Sequence, residues 1–595
     1  MKQTATPTES HRSQTSFVMR SMKVLAPLLA LGGLALAQDS KLASELRDGN
    51  ISGNVKLIVQ YNHDPEAADH DRMRSRGGVF SRHLGAVAGG AYSMPASALN
   101  DIAKDSGVAH VSIDHPIHGR LDYVTAATNA TLAAQQSDAT GAGIGVAVID
   151  SGISPNSDFG KRIVCTQDFT GGNGQDLFGH GTHVAGIIGG DGTNSHCGTC
   201  TRDLKGMAPG VNLINLRVLN SFGESSDSIV IAAIDKAIAL KKTYNIRVIN
   251  LSVGRPVFES YKVDPLCQAV EAAWKAGIVV VVAAGNDGRF NFVNNNGYGT
   301  INSPGNDPYA LTVGAMKTLN TYSRSDDQLA SYSSKGPALI DNIAKPDIVA
   351  PGNQIVSVLA STSAVLPSIA PGNVVATNYY DSKGSSSTKS KYYMTLSGTS
   401  MAAAVVSGAV ADLLEAEPSL SPDQVKVRLM RTAYKVFPAS SMATDLTTGQ
   451  AYVDYYDLLS RGAGYLDLNA AMQSNLAPSG SALSPTVQVD ALLQVANLQC
   501  DLLSTWNLAG NGSALSPSKV WGPSAIGLNN AVVTSQTAAV VSATAAASSP
   551  AATSAAWGTS AAWGTSAAWG TSAVWATSKS AVWATAASLA LAGER

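Results

Sequence analysis

Residues 146–152 have the sequence Val-Ala-Val-Ile-Asp-Ser-Gly, a short apolar run that ends in a carboxylate and a glycine. Similar runs recur along the chain, separated by segments with helical periodicity. The apolar runs occupy residues 144–149, 212–218, 247–252 and 278–284, and the helical segments include residues 228–239 and 265–276. Mostly apolar strands that alternate with helices are typical of a parallel sheet covered by helices on both faces. The sequence therefore predicts an α/β fold with a central, mainly parallel sheet.

Polar side chains follow two of these predicted strands. Asp150 comes directly after the first run, and Asn286 lies two residues after the fourth. Open α/β sheets gather their ligands at the carboxyl ends of the strands. We therefore expect Asp150 and Asn286 at one edge of the sheet, which becomes the candidate site.

Two glycine-containing segments supply further reactive groups, Gly179-His180-Gly181-Thr182-His183 and Gly398-Thr399-Ser400-Met401-Ala402. Taken singly, Asp150 would be a turn residue, His180 a solvated loop residue and Ser400 a helix N-cap. Together, an acid, a histidine and a serine are the set that acyl transfer requires. A serine hydroxyl is a weak nucleophile unless a base takes its proton and an acid orients that base. The combination indicates a serine hydrolase.

Ser400 stands at the start of a predicted helix that continues to about Glu415. The positive end of the helix dipole and the backbone N–H of Ser400 would face the oxygen on which negative charge develops. A second hydrogen-bond donor is needed for that oxygen. Asn286 is the predicted donor, because its side-chain amide follows a buried strand and a flexible glycine.

Nine ordered motifs within residues 135–472 resemble those of the subtilisin-like serine peptidases, or subtilases. Three of them surround Asp150, His180 and Ser400. The other six are Gly206-Met207-Ala208-Pro209-Gly210, Val248-Ile249-Asn250-Leu251-Ser252-Val253-Gly254, Leu311-Thr312-Val313-Gly314-Ala315, Ser331-Tyr332-Ser333-Ser334-Lys335-Gly336-Pro337, Lys345-Pro346-Asp347-Ile348-Val349-Ala350-Pro351-Gly352 and Gly464-Tyr465-Leu466-Asp467. The resemblance implies a three-layer subtilisin-like fold. It also implies an endopeptidase of broad specificity that hydrolyses peptide bonds through an acyl-enzyme intermediate.

The same resemblance assigns roles to individual residues. His180 is the base and His183 is structural. Two edge strands, near Gly223 and at residues 252–254, would hold an extended substrate by main-chain pairing. Residues 252–254 and 283–285 would wall the primary specificity pocket without a buried charge, which favours a large apolar or aromatic residue before the scissile bond. The predicted substrate-binding residues are Gly223, Ser252, Val253, Gly254, Ala283, Ala284 and Gly285.

Two features depart from the family pattern. Ala403-Ala404 stands where subtilases usually have Ser-Pro or Thr-Pro after the nucleophile, and without proline the helix start regains an N–H. A long Ser-, Lys- and Tyr-rich segment, residues 361–393, precedes Ser400. Loops of this length are usually functional or mobile, so the segment either shapes substrate access or is simply solvated.

Residues 1–37 have the three parts of a secretory signal. Arg20 and Lys23 precede an apolar run that ends in Ala35-Leu36-Ala37. The run is interrupted by proline and glycine and is shorter than the roughly 20 residues that span a membrane. We therefore expect a secreted, extracellular protein cleaved near Ala37. Association with the cell surface is left open.

Residues 38–121 are predicted to form a small α+β propeptide domain before a peptidase domain at residues 122–473. Prosegments of the subtilases resemble this pattern, so we expect an intramolecular inhibitor removed by self-processing between His115 and Thr128. A plain accessory domain is the alternative. The predicted elements are strands at residues 55–61 and 108–113 and helices at residues 64–76 and 95–105.

Two cysteines lie close together in a polar loop, Cys197 and Cys200. A local disulfide, unpaired thiols and a redox or metal role are all left open for them. The predicted catalysis requires no cofactor. Calcium often stabilises the family, and Asp158 with residues 191–194 offers oxygen ligands, although the sequence defines no metal site.

Residues 474–595 are predicted to be a low-complexity extension. Five tryptophans recur near its end. Trp557, Trp563, Trp569 and Trp575 are six residues apart, and Trp583 follows eight residues later. An even interval places these side chains on one face of an extended segment. The repeat either attaches the protein to a surface, a polymer or itself, or is merely disordered.

The formal net charge of −2 argues against nucleic acid as a partner. We expect a monomer that acts on polypeptides. A non-catalytic secreted binding or adhesion protein on the same fold is the alternative, and a missing catalytic residue would have favoured it. A third reading, acyl transfer or ligation, is distinguished by whether an added amine competes with water.

Overall fold

A computed structural model describes residues 41–43, 46, 53–113, 123–291, 295–445, 448–490, 495–501, 504, 520–521, 525–526 and 594. These residues fall into two compact units, divided between Ile117 and His118. The predicted signal at residues 1–37 and the tryptophan repeats lie outside the described residues. The domain limits at residues 37, 121 and 473 stay predictions.

Among its described residues, the first unit has two helices and four strands. They are β1 (Asn54–Tyr61), α1 (Ala67–Ser75), β2 (Val79–Leu84), β3 (Gly89–Pro95), α2 (Leu99–Ala103) and β4 (Val108–Ile113). The sheet has the order β2-β3-β1-β4, and all its pairs are antiparallel. Sequence reasoning missed the β2–β3 hairpin because β2 is almost entirely exposed and gives no apolar run. Leu57, Val59, Met73 and Ile102 are fully buried, so this unit has a core of its own.

The second unit is built on an eight-stranded sheet. Its strands are β5 (Gly145–Asp150), β6 (Ile163–Asp168), β7 (Asn212–Arg217), β8 (Ile246–Leu251), β9 (Val279–Ala283), β10 (Leu311–Lys317), β11 (Gln328–Leu329) and β12 (Ile348–Pro351). Their order is β11-β10-β9-β8-β5-β7-β6, with β12 also paired to β10. Every pair is parallel except β10–β11. The predicted mainly parallel sheet is confirmed.

Helices accompany this sheet along the chain. They are α3 (Val124–Ala127), α4 (Ala130–Ser137), α5 (His180–Gly189), α6 (Asp227–Tyr244), α7 (Pro265–Lys275), α8 (Val365–Ile369), α9 (Thr399–Ala416), α10 (Pro422–Thr432), α11 (Leu458–Arg461) and α12 (Leu468–Met472). Helix α9 packs against α5 and strands β8, β9 and β10. Among the described residues it is the one helix long and apolar enough to cross a membrane, but 89% of it is buried inside the unit. It is the core helix that carries Ser400.

The segment at residues 361–393 is folded against the rest of the unit. Strands β13 (Ile355–Val358), β14 (Val374–Ala376) and β15 (Lys389–Leu396) form an antiparallel sheet in the order β13-β15-β14. At the start of α8, the N–H groups of Val365 and Leu366 donate to the carbonyl oxygens of residues 177–178, at 3.1 and 2.9 Å. Since those residues directly precede Gly179 and His180, the segment packs beside the predicted base.

A disulfide joins Cys197 to Cys200, which confirms the local pairing among the alternatives. The loop it closes contacts the same folded segment. Thr201 N–H donates to the Tyr380 carbonyl (2.8 Å), and Ser382 N–H donates to the Thr199 carbonyl (2.9 Å). The disulfide loop and the segment therefore support each other.

Strands also occur late in the chain. They are β16 (Ser440–Thr444), β17 (Ala451–Tyr455), β18 (Thr486–Asp490), β19 (Val495–Gln499) and β20 (Ala525–Ile526). The last three form an antiparallel sheet, and the nearby Trp521 is fully buried. The extension expected from residue 474 thus begins as folded structure. The sequence did not predict these strands, because they carry as little charge as the repeats that follow.

Candidate active site

Asp150 and His180 are in direct contact. Asp150, the last residue of β5, is completely buried. Its Oδ1 lies 2.8 Å from His180 Nδ1 and accepts a 2.7 Å hydrogen bond from Ser151 N–H. A carboxylate at Nδ1 holds the proton on that nitrogen, so Nε2 is left as the proton acceptor. Two of the three predicted catalytic side chains are therefore brought together in a chemically useful way.

The start of α5 is fixed by Asp176, which sequence reasoning missed. Its Oδ1 accepts hydrogen bonds from Ser151 Oγ (2.8 Å) and Gly179 N–H (2.6 Å), and its Oδ2 accepts one from Thr182 N–H (2.8 Å). Burial alone would lower the pKa of His180, but the carboxylates of Asp150 and Asp176 raise it above its ordinary value. The only sequence signal was an acid shortly before a helix start, where side chains commonly cap N–H groups.

Ser400 is the second residue of α9 and lies at the same edge of the sheet. Its Oγ donates to the Ser252 carbonyl oxygen (3.4 Å), and Ser252 Oγ donates to the Ser400 carbonyl oxygen (3.1 Å). Ser252 directly follows β8, in which Leu251 pairs with Ile149 of β5. Ser400 is therefore anchored beside the strand end that carries Asp150.

Two N–H donors converge in front of Gly398. Asn286 Oδ1 accepts from the Thr399 N–H (2.9 Å) and hydroxyl (3.1 Å), which turns Nδ2 outward. A Cβ added to Gly398 would lie 3.3 Å from Asn286 Nδ2 and 3.7 Å from Ser400 N. Gly398, at φ 152°, has no side chain to fill this space. The geometry fits an oxyanion hole.

Three of the predicted substrate-binding residues lie at and directly after the end of β9. Ala283 ends β9, and Ala284 N–H continues the sheet by donating to the Val313 carbonyl (3.0 Å). Gly285 has φ 110°, and its N–H donates to Thr399 Oγ1 (3.2 Å). The tight turn at Gly285 therefore carries Asn286 toward Ser400.

The other predicted binding residues lie after β7 and β8. Val253 is half-buried and Gly254 is exposed, directly after Ser252. Gly223 has φ 78°, and a Cβ there would come within 2.7 Å of the Phe178 ring. The ring belongs to the loop before His180, so the Gly223 loop and the His180 loop pack together.

His183 is structural, in agreement with the sequence interpretation. Its ring is fully buried, and Nε2 lies 3.0 Å from the Ile355 carbonyl and 3.2 Å from the Met394 carbonyl. Burial lowers the pKa of His183 to about 3, so the ring stays neutral. One imidazole N–H thus ties α5 to β13 and β15.

Replacing His183 by leucine is expected to lower the free energy of unfolding by about 1–3 kcal/mol, because it leaves two buried carbonyl oxygens without their donor. Urea unfolding in a Ser400→Ala background, which prevents self-digestion, measures the loss. The exposed His196 offers a matched control, and His196→Leu should stay within about 0.5 kcal/mol. Equal stability of the two variants would show that the hydrogen bonds of His183 do not stabilise the fold.

The carboxylates of the loop that offered oxygen ligands for calcium have protein partners. Asp158 Oδ1 accepts hydrogen bonds from the backbone and side-chain amides of Asn194 (2.7 and 2.8 Å), and its Oδ2 accepts one from the Tyr393 hydroxyl (2.7 Å). Arg162 lies 3.3 Å from Asp191 Oδ2. Protein donors therefore already engage these carboxylates. Nowhere in the described part of the chain do three His, Cys, Asp or Glu side chains cluster as metal ligands.

Comparisons with known proteins found a family model and several relatives that match this chain. A family model described as the subtilase family matches residues 141–464. Serine protease AprX of Bacillus subtilis is 35% identical over 339 residues, 56% of this chain and 70% of that protein. Subtilisin E of the same organism is 31% identical over 423 residues, 70% of this chain and 94% of that protein.

Two further similarities come from a relative and a solved structure. The extracellular serine proteinase of a Thermus species is 32% identical over 360 residues, 58% of this chain and 71% of that protein. The crystal structure of a cold adapted subtilisin-like serine proteinase is 29% identical, with a TM-score of 0.36, and the match covers 50% of this chain and 84% of that one.

Proposed function

The chain belongs to the subtilase family and is a serine-type endopeptidase, and we propose that Asp150, His180 and Ser400 are its catalytic triad. The observation that carries the proposal is the 2.8 Å contact between Asp150 Oδ1 and His180 Nδ1. The anchoring of Ser400 through Ser252 at the same strand ends supports it.

The proposed mechanism assigns a step to each of these residues. His180 Nε2 takes the proton of Ser400 Oγ as that oxygen attacks the carbonyl carbon of a peptide bond, and Asp150 stabilises the imidazolium. The negative oxygen accepts hydrogen bonds from Ser400 N–H and Asn286 Nδ2. His180 then gives its proton to the departing amine, which leaves an acyl-enzyme. Water, activated by the same base, hydrolyses the ester and restores Ser400.

Substrate recognition is proposed to be broad. The segment at residues 252–254 and the loop at Gly223 would pair with the backbone of an extended peptide, and such pairing is blind to side-chain identity. Residues 283–285 would wall the primary pocket together with residues 252–254. None of these residues is charged, so large apolar or aromatic side chains are favoured before the scissile bond.

Export, self-processing and attachment of the protein are proposed as well. It would be secreted through residues 1–37 as a monomeric zymogen, held inactive by residues 38–121 until it cuts itself. The separate core of the first unit supports an independently folding inhibitor. The name of the Thermus relative supports an extracellular location. The tail would attach the enzyme to a surface or polymer, and catalysis is proposed to need no cofactor.

A fluorophosphonate tests the assignment of the nucleophile directly. Ser400 Oγ displaces fluoride from the phosphorus atom, and the phosphonylated peptide is found by mass spectrometry. Labelling at Ser400 that is lost in His180→Ala supports a catalytic serine. A folded chain that stays unlabelled after an added protease has removed residues 38–121 would favour the non-catalytic binding protein.

Replacing Asn286 by alanine is expected to lower kcat by about 10²–10³-fold, the range known for the oxyanion asparagine of subtilisin. KM should change little, because Nδ2 is proposed to act mainly on the transition state. Kinetics on a chromogenic peptide measure both constants. The exposed Asn378 is the matched control, and Asn378→Ala should keep full kcat. A change confined to KM would remove Asn286 from the oxyanion hole.

A further inference from the structure

Three residues of the second unit contact the side chain of Glu594. Arg289 Nη2 donates to Glu594 Oε1 (2.7 Å), and Lys317 Nζ lies 3.0 Å from Oε2. Ser331 donates to the same carboxylate through its backbone N–H, at 3.0 and 3.2 Å from the two oxygens, and through its hydroxyl. Both carboxylate oxygens are thus held by charged and neutral donors.

The backbone of Glu594 is recognised as well. Asn353 Nδ2 donates to the Glu594 carbonyl oxygen (2.8 Å), and Glu594 N–H donates to Asn353 Oδ1 (2.8 Å). An inorganic anion could take the place of the carboxylate, but it would leave both hydrogen bonds of Asn353 unmade. The site therefore fits a glutamate residue within a polypeptide rather than an anion in general.

Burial shows that the pocket requires a carboxylate. The side chains of Lys317 and Glu594 are 2% and 3% exposed. Among the described residues Lys317 has no other carboxylate partner within 4.0 Å. Burial alone would raise the pKa of Glu594, but Lys317, Ser331 and Arg289 lower it, so Glu594 is ionised. An empty pocket would leave the Lys317 ammonium buried and unpaired, which is costly.

The connection of Glu594 to the chain gives the pocket a role. Val520 and Trp521 are fully buried, and Lys435 Nζ donates to the Val520 carbonyl (2.7 Å). The tryptophan repeats fall between this anchor and Glu594 in the sequence. We propose that Arg289, Lys317, Ser331 and Asn353 form a glutamate-binding pocket that holds the repeat-bearing segment on the peptidase unit at its second end.

Covalent attachment alone would not hold the repeats on the enzyme after a cut in the chain, whereas the pocket would. A chain cut between Trp521 and Glu594 keeps the released piece bound through the pocket, so the repeats stay with the enzyme after proteolytic nicking. The inference rests on the contacts of Glu594 and not on the proposed triad. Its test therefore uses the inactive Ser400→Ala chain, in which failure of the pocket is separate from failure of the proposed catalysis.

The experiment inserts a recognition site for a sequence-specific protease between Ser549 and Pro550 of the full-length Ser400→Ala chain. After cutting, size-exclusion chromatography at micromolar concentration shows whether the piece after the cut travels with the body. We expect co-elution in the parent and in Glu259→Gln, a control at an exposed glutamate. We expect dissociation in Glu594→Gln, whose affinity should be at least about tenfold weaker because charged hydrogen bonds are lost.

Two outcomes would overturn the pocket. One is separation of the piece from the parent body, and the other is equal retention in Glu594→Gln, which would assign the binding to other contacts. Circular dichroism melting checks that each chain is folded. If Glu594→Gln proves unstable through its unpaired Lys317, the double variant Lys317→Met/Glu594→Gln removes both buried charges and should also lose the piece. Retention by a folded double variant would equally refute the proposal.

Discussion

Replacing Ser400 by alanine yields a folded chain that releases no detectable peptides from casein and keeps residues 38–121. The expected loss of kcat is about 10⁶-fold, the size known for the triad serine of subtilisin. Nothing else at the site replaces the Oγ nucleophile. The fold should tolerate the change, because this oxygen makes one long hydrogen bond, 3.4 Å to the Ser252 carbonyl. Chain masses and casein digestion measure processing and activity on the same samples.

Helix α9 itself provides the control. Ser407 is buried in the same helix, and its Oγ donates to Asn250 Oδ1 (2.9 Å). Ser407→Ala should cost about 1 kcal/mol of stability but leave kcat and processing nearly intact. Members of a catalytic triad act as a unit, so on the proposed assignment His180→Ala added to Ser400→Ala should cost almost nothing further. Processing and casein release that persist in Ser400→Ala would place the nucleophile elsewhere.

The features that the sequence predicted best are those in which a local apolar pattern and a reactive side chain occur together. An apolar run ending in Asp150 is enough to expect a buried strand with its acid at the carboxyl edge, and β5 ends at Asp150. Strand β9 likewise ends three residues before Asn286. The parallel arrangement followed from strands that are apolar on both faces, since such strands need helices on either side.

The supporting contacts could not be predicted in this way. Asn286 is oriented by Thr399, which is 113 positions away, and Arg289 meets Glu594 across 305 positions. Such pairs depend on how whole elements pack and leave no periodic signal in the chain. The sheet of β13, β14 and β15 was hidden for a related reason, because its edge strand β14 has three residues and the loop between β14 and β15 is polar.

Replacing Asp150 by asparagine is expected to lower kcat by about 10⁴-fold, as known for the orienting acid of another serine protease triad. The geometry should survive, because asparagine has nearly the same shape as aspartate. An amide at this position lets the His180 ring adopt the wrong tautomer, and it cannot stabilise the imidazolium that forms as Ser400 loses its proton.

The pH profile separates this loss from simple unfolding. His180 must be neutral to act as a base, so kcat/KM of the parent falls as the pH drops through the pKa of His180. Burial lowers that pKa, and the Asp150 carboxylate overcomes the effect and raises it. Removing the negative charge should therefore move the acid limb of the residual activity to lower pH. Rates on a chromogenic peptide from about pH 5 to 9 measure the shift. The exposed Asp235 supplies the control. Asp235→Asn should keep the rate of the parent and the pH at which kcat/KM falls on the acid side. An acid limb of Asp150→Asn that coincides with that of the parent would show that Asp150 does not set the titration of the catalytic base.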